Sequence, residues 1–481
     1  MIAVSELQSY YGSRNREREE SYKARLGEDV NWNLSFDQYK EAETTKHVHR
    51  LHPYKGKFIP QLVEYFLDGH TDDFKTEACF APGDIVFDPF CGSGTTLVQA
   101  NEIGIHGIGV DVSTFNSLIS NLKLAKVNFA ELVSAADKVG RAIEQTDTGI
   151  KAREFEQVLL AELNAFNSVY FPAPSFRARV RSGELDEKQY GSEKEKLFLT
   201  HYKELLEKFG VAAEPSANSE KFLDSWFVQP ILDELSQALK VVDHYERSVI
   251  GNYLRLILSR TARSCRATTH YDLATLIKPQ SETYYCAKHS KICKPLFSCL
   301  KWWRRYSNDT LKRLSAFAAL RTETLQVCLT GDSRNIDVSK SLCDSHPDLY
   351  RLFQSKKIRG IFSSPPYVGL INYHEQHAYA YEMFDLERKD ELEIGAMFDG
   401  QGKQAKLDYT QGIVDVLVHS RKFMVDDFDV YLVANDKFNL YPQIARLADM
   451  KVANEYKRPV LNRAEGNTGA YAESIFHLVK N

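Results

Sequence analysis

The chain has 481 residues, 43% hydrophobic and 26% charged, and its 61 Lys and Arg against 65 Asp and Glu leave a formal charge of -4. These are the proportions of a globular protein of two or three domains. They exclude membrane-spanning helices, because no apolar run approaches the roughly 20 residues of a span, and a disulfide scaffold, because eight cysteines are scattered over the whole length.

In chain order, residues 1–45 form a charged arm whose "SRNREREESYKARLGED" reads as a solvated helix or a loose segment. Its start lacks a basic region followed by an apolar one, so no secretory leader is expected and a reducing cytoplasm is the natural compartment. Residues 46–135 open an α/β domain. "DIVFDPF" is a short buried strand, "CGSGTT" a glycine turn and "TLVQANEIG" a helix closed by Gly104; "IHGIGVDVS" and "FNSLISNLKLAKV" repeat the pair. Strands alternating with helices predict a parallel, doubly wound sheet. Residues 136–322 lose that alternation and read as a large, mainly helical insertion. The pattern resumes over 323–481 with "TLQVCLTGDSRNI", "IRGIFSSPPY" and "FDVYLVAND" as strands, and a closing antiparallel hairpin turning at "EGNTG".

The chemistry sits at the strand ends. Gly92 and Gly94 lie between a strand and a helix, where a backbone without side chains lets a ligand approach the helix N-terminus. The third glycine of a dinucleotide motif is replaced by Leu97 and no Gly-Lys-Ser/Thr follows, which points to a nucleoside-like ligand without phosphates. Asp111 ends the next strand, where a carboxylate can accept both ribose hydroxyls, and Asp332 ends a later one, where it can receive an adenine amino group. Each aspartate taken alone is more often a helix cap or turn former, and it is three such features at successive strand ends that point to a ligand. "IRGIFSSPPYVG" ends a buried strand on two serines, two prolines and a tyrosine; the prolines take the backbone rigidly out of the sheet.

"DPFCGSGT" followed by "SSPPY" resembles the S-adenosylmethionine-dependent amino-group DNA methyltransferases, which methylate cytosine N4 or adenine N6. "HPYKGKFIPQLVEYFL" looks like that family's cofactor-contacting segment, and the order of segment, glycine loop, insertion and tetrapeptide is that of its alpha group. The resemblance implies a Rossmann-like fold and a cofactor site of His52, Tyr54, Lys57, Phe58, Asp88, Pro89, Phe90, Cys91, Gly92, Ser93, Gly94, Thr95, Asp111, Asp332, Ser333 and Ser363. It implies a catalytic Ser364, Pro365, Pro366 and Tyr367, with the tyrosine stacked on a flipped base. Serine at the first tetrapeptide position favours cytosine N4. The alternatives are adenine N6, an RNA base, or a non-catalytic nucleic-acid-binding protein. A cytosine-C5 enzyme would need a Pro-Cys nucleophile, and no such dipeptide occurs. Double-stranded DNA is the expected partner, with a cognate restriction enzyme or defence proteins as further partners and no membrane.

The insertion is the basic part of the chain: Tyr245 to Leu320 holds fourteen Lys and Arg against four Asp and Glu. Arg260, Arg263 and Arg266 recur at helical spacing and predict a cationic face for phosphates, followed by Thr268, Thr269, His270 and Tyr271 as polar tips. Arg304 and Arg305 beside Trp302 and Trp303 repeat the mixture; the ordinary reading is a solvated helix with tryptophan in the core. Cys286, His289 and Cys293, with Cys265, Cys299 or His270, could make a tetrahedral zinc site, but the spacing is not that of the tight CxxC pairs, and ordinary buried thiols are the commoner outcome. "YVGLINYHEQHAYAYEMF" is read as a helix packed behind the tetrapeptide, and Arg458 and Asn462 as candidates to face the base pocket.

Overall fold

The computed structural model describes residues 16–215, 219–246, 248–270, 278–461 and 470–481. They form two units, one of 16–125, 313–377 and 387–481, the other of 126–312 and 378–386. After a helix over 16–26 and short helical turns between 32 and 50, the first unit continues with α1 (Pro60–Leu67), β1 (Ile85–Asp88), α2 (Thr95–Glu102), β2 (His106–Asp111) and α3 (Thr114–Leu124). The second supplies α4 (Phe129–Glu144), α5 (Asp147–Tyr170), α6 (Glu187–Phe209), α7 (Gln229–Asp243), α8 (Val249–Cys265), a hairpin of β3 (Tyr284–Cys286) and β4 (Lys291–Cys293), and the start of α9 (Leu300–Ala318). The first resumes with β5 (Gln326–Thr330), β6 (Ile358–Ser363), α10 (Lys403–Arg421), β7 (Met424–Ala434), β8 (Met450–Pro459) and β9 (Ala472–Lys480).

The seven long strands make one sheet in the order β5-β2-β1-β6-β7-β9-β8, parallel from β5 to β7 and antiparallel through β9 and β8. This is the expected α/β class with its C-terminal hairpin; the predicted turn at "EGNTG" lies outside the described residues, as does Asn462. Both faces of the sheet are covered, which is why its strands read as apolar runs and not as alternations. Along β1, Ile85 and Phe87 join the cluster that includes Ile413 and Leu417 of α10, while Val86 points the other way to Leu62, Val63 and Phe66 of α1. Each such side chain taken fully out of water contributes about 1.5–3 kcal/mol.

The winding places the site. From β1 the chain steps outward through β2 to β5, then returns to add β6 on the opposite side of β1. Strand order reverses between β1 and β6, and open α/β sheets bind ligands outside the carboxyl ends of such a pair. Those two ends are Asp88 and Ser363.

One prediction fails locally. "YVGLINYHEQHAYAYEMF" is not one helix: a 3-10 turn begins at Glu375 and an α-helix only at Ala378. The Glu393 carboxylate accepts the backbone N–H groups of Tyr373 at 3.1 Å and His374 at 2.8 Å, and this holds the preceding stretch as a loop.

Candidate functional site

A cleft of about 840 Å³, open solvent at its mouth included, lies at the β1–β6 ends of the first unit. Its floor is the glycine loop. Gly92 and Gly94 have φ of 50° and 75°, in the left-handed region where glycine carries no steric penalty. A Cβ on Gly92 would lie 2.8 Å from the Tyr54 hydroxyl, and one on Gly94 would lie 2.1 Å from Ser120 Oγ, so neither position has room for a side chain. Gly94 caps α2, whose first turn presents Thr95 to the cleft.

Asp111 ends β2 and accepts the Gly92 N–H at 2.7 Å on one carboxylate oxygen, and the Ser113 N–H at 2.9 Å and the Asn116 amide at 3.1 Å on the other. It lines the cleft but is nearly buried, and burial pushes its pKa up to about 6 against the pull of those donors. Asp88 is buried beneath the floor, is likewise pushed up to about 6 by burial, and accepts the Ser363 hydroxyl at 2.5 Å. Thr96 donates to the Phe362 carbonyl at 3.3 Å. These two bonds tie the glycine loop to the strand that carries the tetrapeptide.

Of the predicted cofactor set, Tyr54, Lys57, Phe58, Pro89, Phe90, Cys91, Gly92, Ser93, Thr95, Asp111, Asp332 and Ser333 line the cleft, joined by Ser364 and Pro366. His52, Asp88, Gly94 and Ser363 do not. His52 is fully buried, with its ring 5.4 Å from Phe115 and 5.3 Å from His377, and supports the wall from behind. The Asp332 carboxylate is held by the Arg334 guanidinium at 2.7–2.9 Å, so it reaches the cleft already paired. Lys57 donates to the His49 carbonyl at 2.5 Å, and burial, with Arg50 and Arg313 nearby, lowers its pKa to about 8.

Tyr367 does not line the cleft; its hydroxyl donates to Glu473 on β9 at 3.1 Å. Arg458 on β8, buried and 3.0 Å from the Leu34 carbonyl, donates to the same carboxylate at 2.9 Å. The antiparallel hairpin thus fixes the tetrapeptide's aromatic ring. Pro365 is buried between Ser364 and Pro366.

Gly56, Val112, Asn116, Gly331, Tyr373, Leu392, Glu393 and Ile394 line the cleft without having been foreseen. Asn116 carried a signal, as a polar residue in the first turn of the helix after the second strand. Leu392, Glu393 and Ile394 arrive from a stretch with no motif. Ser93 Oγ and Asn116 Oδ1 are buried with no hydrogen-bond partner among the described residues. Polar atoms left so at a cleft are suited to a ligand's polar groups, and with the Asp111 carboxylate and the apolar walls of Phe58, Phe90 and Ile394 they fit a nucleoside bearing a short polar tail.

The basic helices of the second unit correct the sequence reading. Arg260 is only 5% exposed and faces inward, paired with Asp309 at 2.5 Å and stacked 4.4 Å from the Tyr306 ring. Arg266 is equally buried, lies beyond the end of α8, and packs 5.6 Å from Tyr379. The three arginines therefore form no outward cationic face, because their spacing turns Arg260 into the helical core. Arg263 and Thr269 are half-buried, and His270 turns towards Tyr284 and Cys286. Arg304 and Arg305 are exposed; Arg304 pairs with Glu144 at 2.9 Å and Arg305 lies 5.3 Å from the Trp302 ring. Trp303 is core, with its indole N–H on the Ala136 carbonyl at 3.0 Å. Cys265 and Cys299 are buried apart from the His270, Cys286, His289 and Cys293 cluster.

A DNA methylase family model, N6_N4_Mtase, matches residues 5–120. Type II methyltransferase M.MjaII of Methanocaldococcus jannaschii is 41% identical over 480 residues, which is 99% of this chain and 88% of that protein. Type II methyltransferase M.MvaI of Kocuria varians is 28% identical over 127 residues, 26% of this chain and 25% of that protein. Among solved structures, an rRNA methyltransferase from Streptomyces viridochromogenes aligns over 94% of this chain and 96% of its own, at 11% identity and a TM-score of 0.31. No helix among the described residues is long and apolar enough to cross a membrane.

Proposed function

The chain belongs to the N4/N6 amino-group DNA methyltransferases, whose methyl donor is S-adenosylmethionine, and we propose that it methylates the exocyclic N4 of a cytosine flipped out of double-stranded DNA. The observation that carries this reading is Ser364: it stands at the first tetrapeptide position and lines the same cleft as the glycine loop and Asp111.

On this reading Asp111 takes the ribose hydroxyls, the Gly92–Ser93 backbone lies against the nucleoside, and Tyr54 to Phe58 hold the amino-acid tail. Asp332, already paired with Arg334, takes the adenine amino group as an acceptor of fixed orientation. When bound, S-adenosylmethionine supplies an electrophilic sulfonium methyl. Ser364 Oγ and the Pro365 carbonyl accept the two amino protons of the target base. This draws the nitrogen lone pair out of conjugation and aims it along the line of attack. Transfer of that methyl would leave one surplus proton on the nitrogen, which Ser364 Oγ and the Pro365 carbonyl would hold as hydrogen-bond acceptors until solvent takes it. Tyr367, held by Glu473, offers its ring face to the extruded base. Pro365 and Pro366 keep the acceptors rigid, so no orientation has to be found during the reaction.

Arg263, Thr269, Arg304 and Arg305 remain the phosphate-contact candidates of the second unit, and a cognate nuclease is the expected biological partner. The test is expression in a methylation-free bacterial host followed by nucleoside mass spectrometry of the genomic DNA. N4-methylcytosine is the expected product. N6-methyladenine would keep fold and cofactor and overturn the reading of Ser364.

A further inference from the structure

Outside the cleft, the second unit gathers four metal-ligating side chains that the methyl-transfer chemistry does not use. We propose that His270, Cys286, His289 and Cys293 form a structural zinc site that clamps the β3–β4 hairpin to the chain following α8.

The four donor atoms lie within 4.8 Å of one another. Cys286 Sγ is 3.8 Å from Nδ1 of His270 and 3.6 Å from Nδ1 of His289, and Cys293 Sγ is 3.5 Å from Nδ1 of His289. A tetrahedron with Zn–S of about 2.3 Å and Zn–N of about 2.0–2.1 Å has sulfur-to-nitrogen edges of about 3.6 Å. The observed separations are those edges, so the side chains need little movement to close on an ion. The two imidazole rings stand 4.4 Å apart at 76°, which lets one nitrogen of each face a common centre.

The backbone explains how the set is assembled. In the antiparallel register Tyr284 pairs with Cys293 and Cys286 with Lys291, which puts both cysteines on one face of the hairpin. The turn between the strands is closed by the His289 N–H on the Cys286 carbonyl at 3.0 Å, and Ser290 follows with φ of 51°. That tight reversal brings His289 back over the two sulfurs. His270 enters from the other side, and its backbone N–H donates to the Tyr284 hydroxyl at 3.1 Å. The same hydroxyl lies 2.7 Å from the ring's Nδ1, a bond that ligation through that nitrogen would replace.

The need for a clamp is physical. Two strands of three residues are marginal as a hairpin. One side of this hairpin is braced by α5 and α6, through Asn167 to Ile292 at 2.9–3.0 Å and Glu195 to the Tyr285 N–H at 2.8 Å. The ligand-bearing side has an apolar cluster of only Tyr284, Cys286 and Cys293 among the described residues. Two thiols with two imidazoles select zinc over magnesium, calcium or manganese, whose preferred donors are oxygens. His289 is exposed, which gives the ion an entry path.

The full chain, purified under reducing conditions without a metal-affinity tag, should carry about one zinc per chain by elemental mass spectrometry. After chelator stripping, added cobalt(II) should give the intense visible bands of tetrahedral coordination and thiolate-to-metal charge transfer in the near ultraviolet. His289→Ala, at an exposed position, and Cys286→Ser should each lower zinc content at least about tenfold. Cofactor affinity of the His289→Ala protein should stay within about twofold, since the cleft residues belong to the other unit. Zinc-free protein with free thiols that yields no charge-transfer band with cobalt overturns the proposal. So does a metal content unchanged by both substitutions, or a Cys286–Cys293 disulfide in the freshly purified chain.

Discussion

The cleft between β1 and β6 and the basic helices of the second unit were both marked by sequence, one by motif and the other by charge. The motif carried through to geometry: twelve of sixteen predicted cofactor residues line one cleft. The charge did not, because Arg260 and Arg266 spend theirs inside the helical unit, on Asp309 and against aromatic rings. A motif constrains backbone direction, turn and side chain together at a strand end. A charge count says nothing of where a side chain points.

The sharpest break of this comparison is at the tetrapeptide. Ser364→Ala should slow methyl transfer by about 10²–10³-fold, the cost of one oriented hydrogen bond made at the reacting group. Cofactor affinity should change less than about threefold, because the serine acts on the base and not on the nucleoside. Single-turnover rates alongside calorimetric cofactor binding separate the two, and equal loss of both would dissolve the distinction between catalytic and cofactor residues drawn above.

Next comes the charge reading. Arg260→Ala should destabilise the chain by about 2–4 kcal/mol, somewhat below the cost of breaking a sealed pair because Asp309 keeps some contact with water. It should leave the salt dependence of DNA binding unchanged. Arg305→Ala should do the reverse, with stability within about 0.5 kcal/mol and the salt slope shallower by about one. Denaturant melts and binding isotherms at several salt concentrations decide; a reduced slope for Arg260→Ala would restore the outward cationic face.

What was legible follows the same division. "DPFCGSGT" and "SSPPY" were readable because glycine and proline act on their own backbone, and a strand end is a local event. Leu392, Glu393 and Ile394 were not, because they reach the cleft from a loop whose position is set by long-range contacts such as Glu393 with the Tyr373 and His374 backbone. The four zinc candidates were half legible. Cys286, His289 and Cys293 are close in sequence, but choosing His270 over Cys265 or Cys299 as the fourth required the fold.

A smaller effect tests the electrostatics of the cleft. Burial holds Asp111 near pKa 6, whereas the same group in an unfolded chain titrates near about 4. In the empty protein it therefore costs stability above pH 6, and that cost fades as the pH falls towards about 4, so at this residue acidification does not favour unfolding. Cofactor that binds through the ionised carboxylate should instead lose affinity below pH 6, by at most about tenfold per pH unit. In Asp111→Asn the affinity should be lower at neutral pH and its acid slope flatter. A slope identical to that of the parent would assign the titration to Asp88, which shares the same burial and the same value.

The smallest expected effect concerns the hairpin's hold on the aromatic ring. Tyr367→Phe keeps the stacking face and removes only the 3.1 Å bond to Glu473, so turnover should fall by less than about tenfold. Glu473→Ala should give a similar loss, since it removes the acceptor of that same bond together with the partner of Arg458. Combining the two should cost little more than either alone, because both act on one contact. A fluorescent base analogue at the target position reads ring placement directly: both variants should leave the base extruded but less quenched. If the double variant multiplied the separate losses instead, Glu473 would act on the reaction by a route other than the ring, and the β8–β9 hairpin would be part of the chemistry, not its support.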